Sequence, residues 1–143
     1  MVSLPHPSIY PLGQAWQTIF ALGQADGQVV IDENYPALPK GTTAAAGALV
    51  GETVYVAGGD SGDGATKNFW ALDLAKRGAA DFGWVTLPPW DGPARTHLLA
   101  SAQDDGATDC LYIFSGRMKD GNGHWGIPGD AHKFNPKSGG GKK

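Results

Sequence analysis

An internal repeat is the feature that most limits how this chain can fold. Residues 54–59 read Val-Tyr-Val-Ala-Gly-Gly, and one repeat length further on residues 111–116 read Leu-Tyr-Ile-Phe-Ser-Gly. Each segment is a short β-prone run that ends in two small residues and carries tyrosine at its second position. Recurrence of one such unit along a chain is typical of repeat architectures, in which each unit packs against its neighbour.

The segments that flank these two runs repeat as well. An apolar or small-residue stretch and a polar turn precede each run, at residues 43–50 and 97–102. A loop rich in Gly, Asp and Asn follows, and then a third apolar run at residues 69–74 and 131–136. The first copy completes a fourth strand at residues 83–88, whereas the second stops before an equivalent tryptophan. Each unit therefore predicts a four-stranded antiparallel meander of about 50 residues, the size of a β-propeller blade.

Composition supports short strands joined by tight turns. The chain has 22 glycines in 143 residues, about twice the usual share, and they follow no collagen-like period. We expect an all-β structure of about eight to ten short strands, with strand ends at Gly59 and Gly116. The predicted core consists of Tyr55, Val56, Trp70, Leu72, Trp84, Leu111, Ile113 and Phe134.

The repeat also predicts the domain organisation. Residues 1–40 form an N-terminal segment that contains the outer strand of an incomplete blade, and residues 41–90 form the first blade. Residues 91–137 form a second blade, truncated before its last strand, and residues 138–143 form a flexible tail. Propellers close a ring, commonly of 4–8 blades, so two blades and a stub leave open faces. We therefore expect the isolated chain to self-associate.

Three further segments make the pattern more specific. They are Lys67-Asn68-Phe69-Trp70-Ala71-Leu72-Asp73-Leu74, Gly83-Trp84-Val85-Thr86-Leu87-Pro88-Pro89-Trp90, and Gly92-Pro93-Ala94-Arg95. Together with the tyrosine and glycine-pair runs they resemble the kelch repeat. More narrowly, they resemble the cyclically permuted sialic-acid mutarotases of the N-acetylneuraminate epimerase family. The resemblance covers residues 42–136, and members of that family resemble six-bladed propellers more than twice this length.

The resemblance implies an isomerase that acts on a sugar, sialic acid, in the full-length parent, without a cofactor. Anomerisation needs proton transfer at the ring oxygen and the anomeric hydroxyl, and a cation for the sugar carboxylate. Arg95 and Arg117 are the candidate cations, and Asn68 is a further candidate substrate contact; no catalytic residue is assigned. The structural alternatives are that Arg95 bonds loop carbonyls, that Arg117 is likewise a structural arginine, and that Asn68 caps a loop.

Two other functions remain open. A kelch scaffold would bind a protein through the loops of one face, and an isolated propeller fragment would be inactive. A net charge of −3 with no basic stripe argues against nucleic acid as the partner. No apolar run is long enough to span a membrane. No signal peptide is visible, although the resemblance implies a periplasmic or extracellular parent.

Metal and nucleophile sites are not indicated. The spacing of His97, His124 and His132 matches no zinc motif. The glycine- and aspartate-rich loop at residues 59–64 lacks the remaining residues of a phosphate or calcium loop. Cys110, the single cysteine, lies within an apolar strand pattern, so we interpret it as a small buried hydrophobic residue.

Overall fold

The structure, a computed structural model, describes residues 17–19, 21–138 and 140–142. All regular elements in this part of the chain are strands, apart from a 3₁₀ helix at Leu74–Lys76. The strands are β1 (Ala21–Ala25), β2 (Gln28–Asp32), β3 (Ala46–Val50), β4 (Thr53–Ala57), β5 (Phe69–Asp73), β6 (Trp84–Thr86), β7 (Leu99–Asp104), β8 (Asp109–Phe114), β9 (Met118–Lys119), β10 (Trp125–Gly126), β11 (Ala131–Asn135) and β12 (Gly140–Lys142). The all-β expectation is confirmed.

The two copies of the repeat form two equivalent four-stranded antiparallel sheets. The first has the order β3-β4-β5-β6, and the second has the order β7-β8-β11-β12. In the first sheet Tyr55 pairs with Ala48 and Ala71 on its two neighbours. In the second sheet Tyr112 holds the same central place between the inner and third strands. The matching tyrosines of the sequence thus mark matching positions of two propeller blades.

Strands outside the two predicted patterns account for the larger number observed. The loop between β8 and β11 contains a short antiparallel hairpin, β9 with β10. The second sheet also gains its fourth strand, because β12 pairs with β11 at the position where we expected a truncated blade and a flexible tail. A glycine-rich tail has no apolar pattern to reveal a strand, but its backbone can still pair with the open edge of β11.

The core lies between the two sheets and is rich in aromatic rings. Phe134 of the second sheet packs against Tyr55 and Phe69 of the first, with ring centroids 5.6 and 5.1 Å apart. Buried residues from both sheets form one cluster around these rings: Ala46, Val50, Tyr55, Ala57, Phe69, Trp90, Leu98, Leu111 and Ile113. Such edge-to-face and tilted contacts add to the stability that apolar burial provides. The two blades therefore share one hydrophobic core.

Most of the predicted core is confirmed. Five of the eight predicted residues are buried: Tyr55, Trp70, Leu72, Leu111 and Ile113. Val56, Trp84 and Phe134 are only half-buried. Trp84 lies on β6, the outermost strand, and its indole N–H donates a hydrogen bond to the Pro36 carbonyl at 2.9 Å. Cys110 is fully buried, and burial raises the pKa of its thiol, which fits a packing role.

The N-terminal segment forms a hairpin instead of a single outer strand. β1 and β2 pair through an Asp26-Gly27 turn in which both residues have positive φ, the chemistry of a tight two-residue hairpin. Residues 1–16 and 20 of the N-terminal segment lie outside the described residues. The hairpin is linked to the first blade by an ion pair between Asp32 and Arg77. No helix among the described residues has the length and apolarity of a membrane span.

Candidate functional site

The loops at one edge of both sheets are joined into a single ribbon, which we call the loop edge. It consists of residues 42–45, 58–68, 95–98 and 115–118. Four backbone pairs hold it together: Thr43 with Asp60, Asp60 with Ala65, Thr66 with Arg95, and Thr96 with Arg117. The third pair crosses from the first blade to the second, so the loop edge spans the junction between the two blades.

The small residues at the strand ends allow this close approach. Gly58 and Gly116 have φ of +67° and +97°, which residues with a Cβ adopt only with strain. A Cβ on Gly58 would lie 2.7 Å from the Arg95 carbonyl oxygen, and one on Gly116 would lie 2.8 Å from that of Thr96. The motif of two small residues therefore lets one loop lie directly against the next.

Arg95 is placed inside the protein, where its hydrogen bonds are satisfied. Its exposed fraction is 0%. Its guanidinium donates to the carbonyl oxygens of Pro93 and Ser115 at 3.4 and 3.3 Å, and to a carboxylate oxygen of Asp130 at 2.7 Å. This geometry favours the structural alternative, in which Arg95 joins loops. A substrate carboxylate would have to replace Asp130 at this guanidinium.

Asp130 extends this buried network to His132. Its second carboxylate oxygen lies 2.7 Å from Nε2 of His132, which is buried. Burial alone would raise the pKa of Asp130, but hydrogen bonds from His132 and Arg95, and the charge of Arg95, lower it below its usual value. His132 therefore belongs to the structural network. Among the described residues, no group of three or more His, Cys, Asp or Glu is arranged to hold a metal ion.

Arg117 has the opposite environment. Its side chain is exposed, and its guanidinium lies over the ring of Trp125 at 4.8 Å from the centroid. Lys119 approaches the same ring at 5.1 Å. Within the described part of the chain Arg117 makes no ion pair with a carboxylate. Stacking on an aromatic face leaves the in-plane N–H groups of a guanidinium available for a carboxylate.

His97 lies one residue from the backbone pair of Thr96 and Arg117. Its imidazole is exposed, and its backbone N–H donates to the Ala44 carbonyl at 2.8 Å, across the blade junction. The Thr96 hydroxyl contacts Nδ1 of the ring. The loop edge therefore presents an imidazole and a guanidinium from neighbouring, paired segments.

Asn68 lies in the first blade, on the segment that enters β5. Its carbonyl accepts a hydrogen bond from Gly58 N–H at 2.8 Å. Its side-chain Nδ2 is buried and has no hydrogen-bond acceptor among the described residues. Asn68 thus supports the glycine-ended strand through its backbone, while its side-chain amide retains an unused donor.

The site predicted from the sequence did not include two residues of this region. Trp125 was not selected, although it follows two cations, Arg117 and Lys119, within a glycine-rich loop. The sequence pattern of Arg117 and Lys119 followed by an aromatic residue could have indicated that Trp125 belongs to the site. His97 was considered only as a metal ligand. Its role in the loop edge depends on contacts with the preceding blade, which no local motif reveals.

Comparisons with known proteins identify the family of this chain. The sequence profile of N-acetylneuraminate epimerase matches residues 35–143. Curated proteins named N-acetylneuraminate epimerase from Haemophilus influenzae (strain PittEE) and Pasteurella multocida (strain Pm70) are each 36% identical to the chain, over 104 and 102 residues. These alignments cover 73% and 71% of this chain, but only 25% and 24% of the relatives. The chain therefore spans about a quarter of their length.

A solved structure gives the same result for the fold. The protein described as "Structure of YjhT" superposes with a TM-score of 0.62 at 27% sequence identity. The superposition covers 76% of this chain and 28% of that one. The paired four-stranded sheets are accordingly two blades of a kelch-type β-propeller. Because the family profile covers most of the chain, including both blades and the loop edge, the chain belongs to the N-acetylneuraminate epimerase family.

Proposed function

We propose that this chain supplies two blades of a propeller that interconverts the anomers of N-acetylneuraminate without a cofactor. The family match over residues 35–143 supports the reaction. The observation that carries the assignment to this site is the exposed Arg117, stacked on Trp125 and without a carboxylate partner among the described residues. A cation of this kind fits the carboxylate that distinguishes an acidic sugar from a neutral one.

Proton transfer and charge recognition are all that the reaction requires of the protein. The ring opens when the anomeric hydroxyl loses a proton and the ring oxygen gains one, and it closes again on the other face. Arg117 would hold the carboxylate next to the anomeric carbon and thereby fix the position of the reacting atoms. Arg95 would act indirectly, by holding the loops through its bonds to Ser115 and Asp130.

The proposal is tested on the intact propeller that contains this chain, by following exchange between the sugar anomers with NMR. Arg117→Met should raise KM roughly 10- to 150-fold, the effect of losing charge-assisted hydrogen bonds of about 1.5–3 kcal/mol. Arg77→Met is the matched control, because Arg77 is also exposed and lies over an aromatic ring, at 5.1 Å from Tyr35. An unchanged KM in Arg117→Met, or an inactive wild-type propeller, would contradict the proposal.

We also propose that the isolated chain self-associates. Among the described residues, no strand pairs with the outward edges of β6 and β12. Leu22 and Val29 of the N-terminal hairpin are largely exposed. Open edges and apolar faces of this kind favour association between chains. Sedimentation equilibrium at micromolar concentration should show oligomers; a monomer with a sharp unfolding transition would refute this proposal.

One observation favours a protein-binding function as the second candidate. Trp125 and Ile127 are both exposed, on and directly after the same short hairpin. Exposed aromatic and aliphatic side chains on a propeller loop are suited to a protein partner. The exchange assay separates the candidates, because a scaffold would not accelerate anomerisation.

A further inference from the structure

His97 has a left-handed backbone conformation, which is uncommon for residues with a side chain. Its φ is +55°, and the equivalent residue of the first blade, Ala44, has φ of +51°. Both residues lie two positions before the inner strand of their blade, so the left-handed turn belongs to the repeat. Non-glycine residues held in this region cluster at functional sites. The repeat thus holds His97 in a fixed backbone conformation, and its exposed imidazole has no counterpart at Ala44.

The surroundings of His97 fix one side of its ring and leave the other open. Thr96 is 2% exposed, and its backbone bonds to Arg117 in both directions, at 3.0 and 2.7 Å. The hydroxyl of this immobilised threonine contacts Nδ1 of His97. None of the described residues forms a hydrogen bond with Nε2. One ring nitrogen of this exposed side chain is thus in contact with the protein, and the other has no hydrogen-bond partner among the described residues.

The other described histidines have different environments. His132 is buried and bonded to Asp130. His124 belongs to the β9–β10 hairpin, where its ring lies 3.5 Å from the Asp120 carboxylate. Only His97, within the described residues, combines an exposed ring with direct backbone proximity to the Arg117 segment. Imidazole is the commonest general acid–base group near neutral pH.

We infer that His97 is the residue that exchanges a proton with the anomeric hydroxyl of an acidic sugar whose carboxylate is held by Arg117. This inference rests on the proposed function. In a 2-keto acid sugar the carboxylate and the anomeric hydroxyl are attached to the same carbon. A group that reacts with this hydroxyl must therefore lie beside the group that binds the carboxylate, and Thr96 joins the two segments.

The proposed step is balanced. Nε2 of His97 takes the proton of the anomeric hydroxyl, and the electron pair of that O–H bond forms the carbonyl of the open chain. The bond between the anomeric carbon and the ring oxygen breaks, and the ring oxygen takes a proton from water. Ring closure on the opposite carbonyl face reverses these transfers and returns the proton from the imidazolium to the new anomeric hydroxyl. Nothing is oxidised or reduced.

The test compares glycine substitutions at two residues with positive φ in the intact propeller, one inside and one outside the loop edge. His97→Gly removes the imidazole but relieves the strained backbone, so the variant should fold at least as well as wild type. Its kcat for anomer exchange should fall roughly 100- to 10,000-fold, the usual contribution of a general acid–base group, with KM changed less than about threefold. Asp26→Gly is the matched control and should keep kcat within about twofold, because Asp26 is also exposed and has φ of +51° but lies in the N-terminal hairpin, outside the loop edge.

Added imidazole distinguishes a histidine that transfers a proton from one with a structural role only. It should restore part of the activity of His97→Gly and none in His97→Gln, whose side chain fills the position without transferring a proton. A kcat of His97→Gly within threefold of wild type would overturn the inference and leave the proposed function intact. Equal losses in His97→Gly and Asp26→Gly would overturn it as well, because a general effect of glycine at a positive φ would then explain both. A wild-type propeller that does not exchange anomers would refute the proposed function itself, and with it this role for His97.

Discussion

A methyl group added to Gly116 should destabilise the protein through contact with the preceding loop. Gly116 has φ of +97°, and its Cβ would meet the Thr96 carbonyl oxygen at 2.8 Å and Leu98 Cα and Cβ at 3.0 and 3.1 Å. Forcing alanine into a positive φ costs about 1–2 kcal/mol, and overpacking adds about 1–3 kcal/mol. The contacting atoms are backbone and Cβ atoms, which cannot rotate away. Gly116→Ala should therefore lower the free energy of unfolding by about 2–5 kcal/mol.

Gly106→Ala is the control that isolates the packing contribution. Gly106 has nearly the same φ, +93°, but a Cβ there would meet no atom within 4 Å. The control should lose only the backbone cost of about 1–2 kcal/mol. Urea unfolding followed by far-UV circular dichroism, at one fixed protein concentration, measures both variants. If the two losses agreed within about 0.5 kcal/mol, close approach of the loops could not be the reason for glycine at the strand end.

Two further predictions concern charged residues of the second blade. A hydrogen bond from Lys133, at 2.9 Å, and two from backbone N–H groups lower the pKa of Asp105. Because this carboxylate binds a proton more readily in the unfolded chain, the free energy of unfolding should fall as the pH drops from about 5 to 2. Asp105→Asn should flatten this dependence in acid unfolding curves. Arg95→Met should lower the free energy of unfolding by about 2–4 kcal/mol. This value is somewhat below the usual cost of breaking a buried ion pair, because the Asp130 side chain is 36% exposed. A loss under about 1 kcal/mol in urea unfolding would show that the Arg95 network is not needed for stability.

The sequence predicted the architecture of the blades because each blade is encoded locally. Tyr55 and Tyr112 mark the second strand of each unit, and the small residues after them mark its end, so the order of strands follows from one comparison. β12 could not be predicted in this way. Its pairing with β11 uses backbone groups of a glycine run, and no side-chain pattern distinguishes such a strand from a flexible tail.

Burial was predicted less well at the outer strands. Trp84 was expected in the core because of its size, but its strand, β6, is the last of its sheet. On an outermost strand the burial of a side chain depends on what packs from outside, and here that is the segment around Pro36. A large apolar residue on an inner strand of a blade indicates a core position, whereas one on the outermost strand indicates only a contact surface.

The candidate site depends on long-range contacts that a local sequence motif does not predict. Arg95 lies at the entrance to the second unit and Arg117 follows the end of its second strand, and the sequence offered both as ligands for a carboxylate. Asp130, 35 residues further along the chain, forms an ion pair with Arg95. Trp125 contacts the guanidinium of Arg117, which forms no ion pair with a described carboxylate. Which arginine remains available is thus decided by long-range partners. The same holds for His97, whose position depends on Ala44 of the other blade. The arrangement of candidate residues at this edge is therefore a property of the junction between blades, and a single repeat cannot encode it.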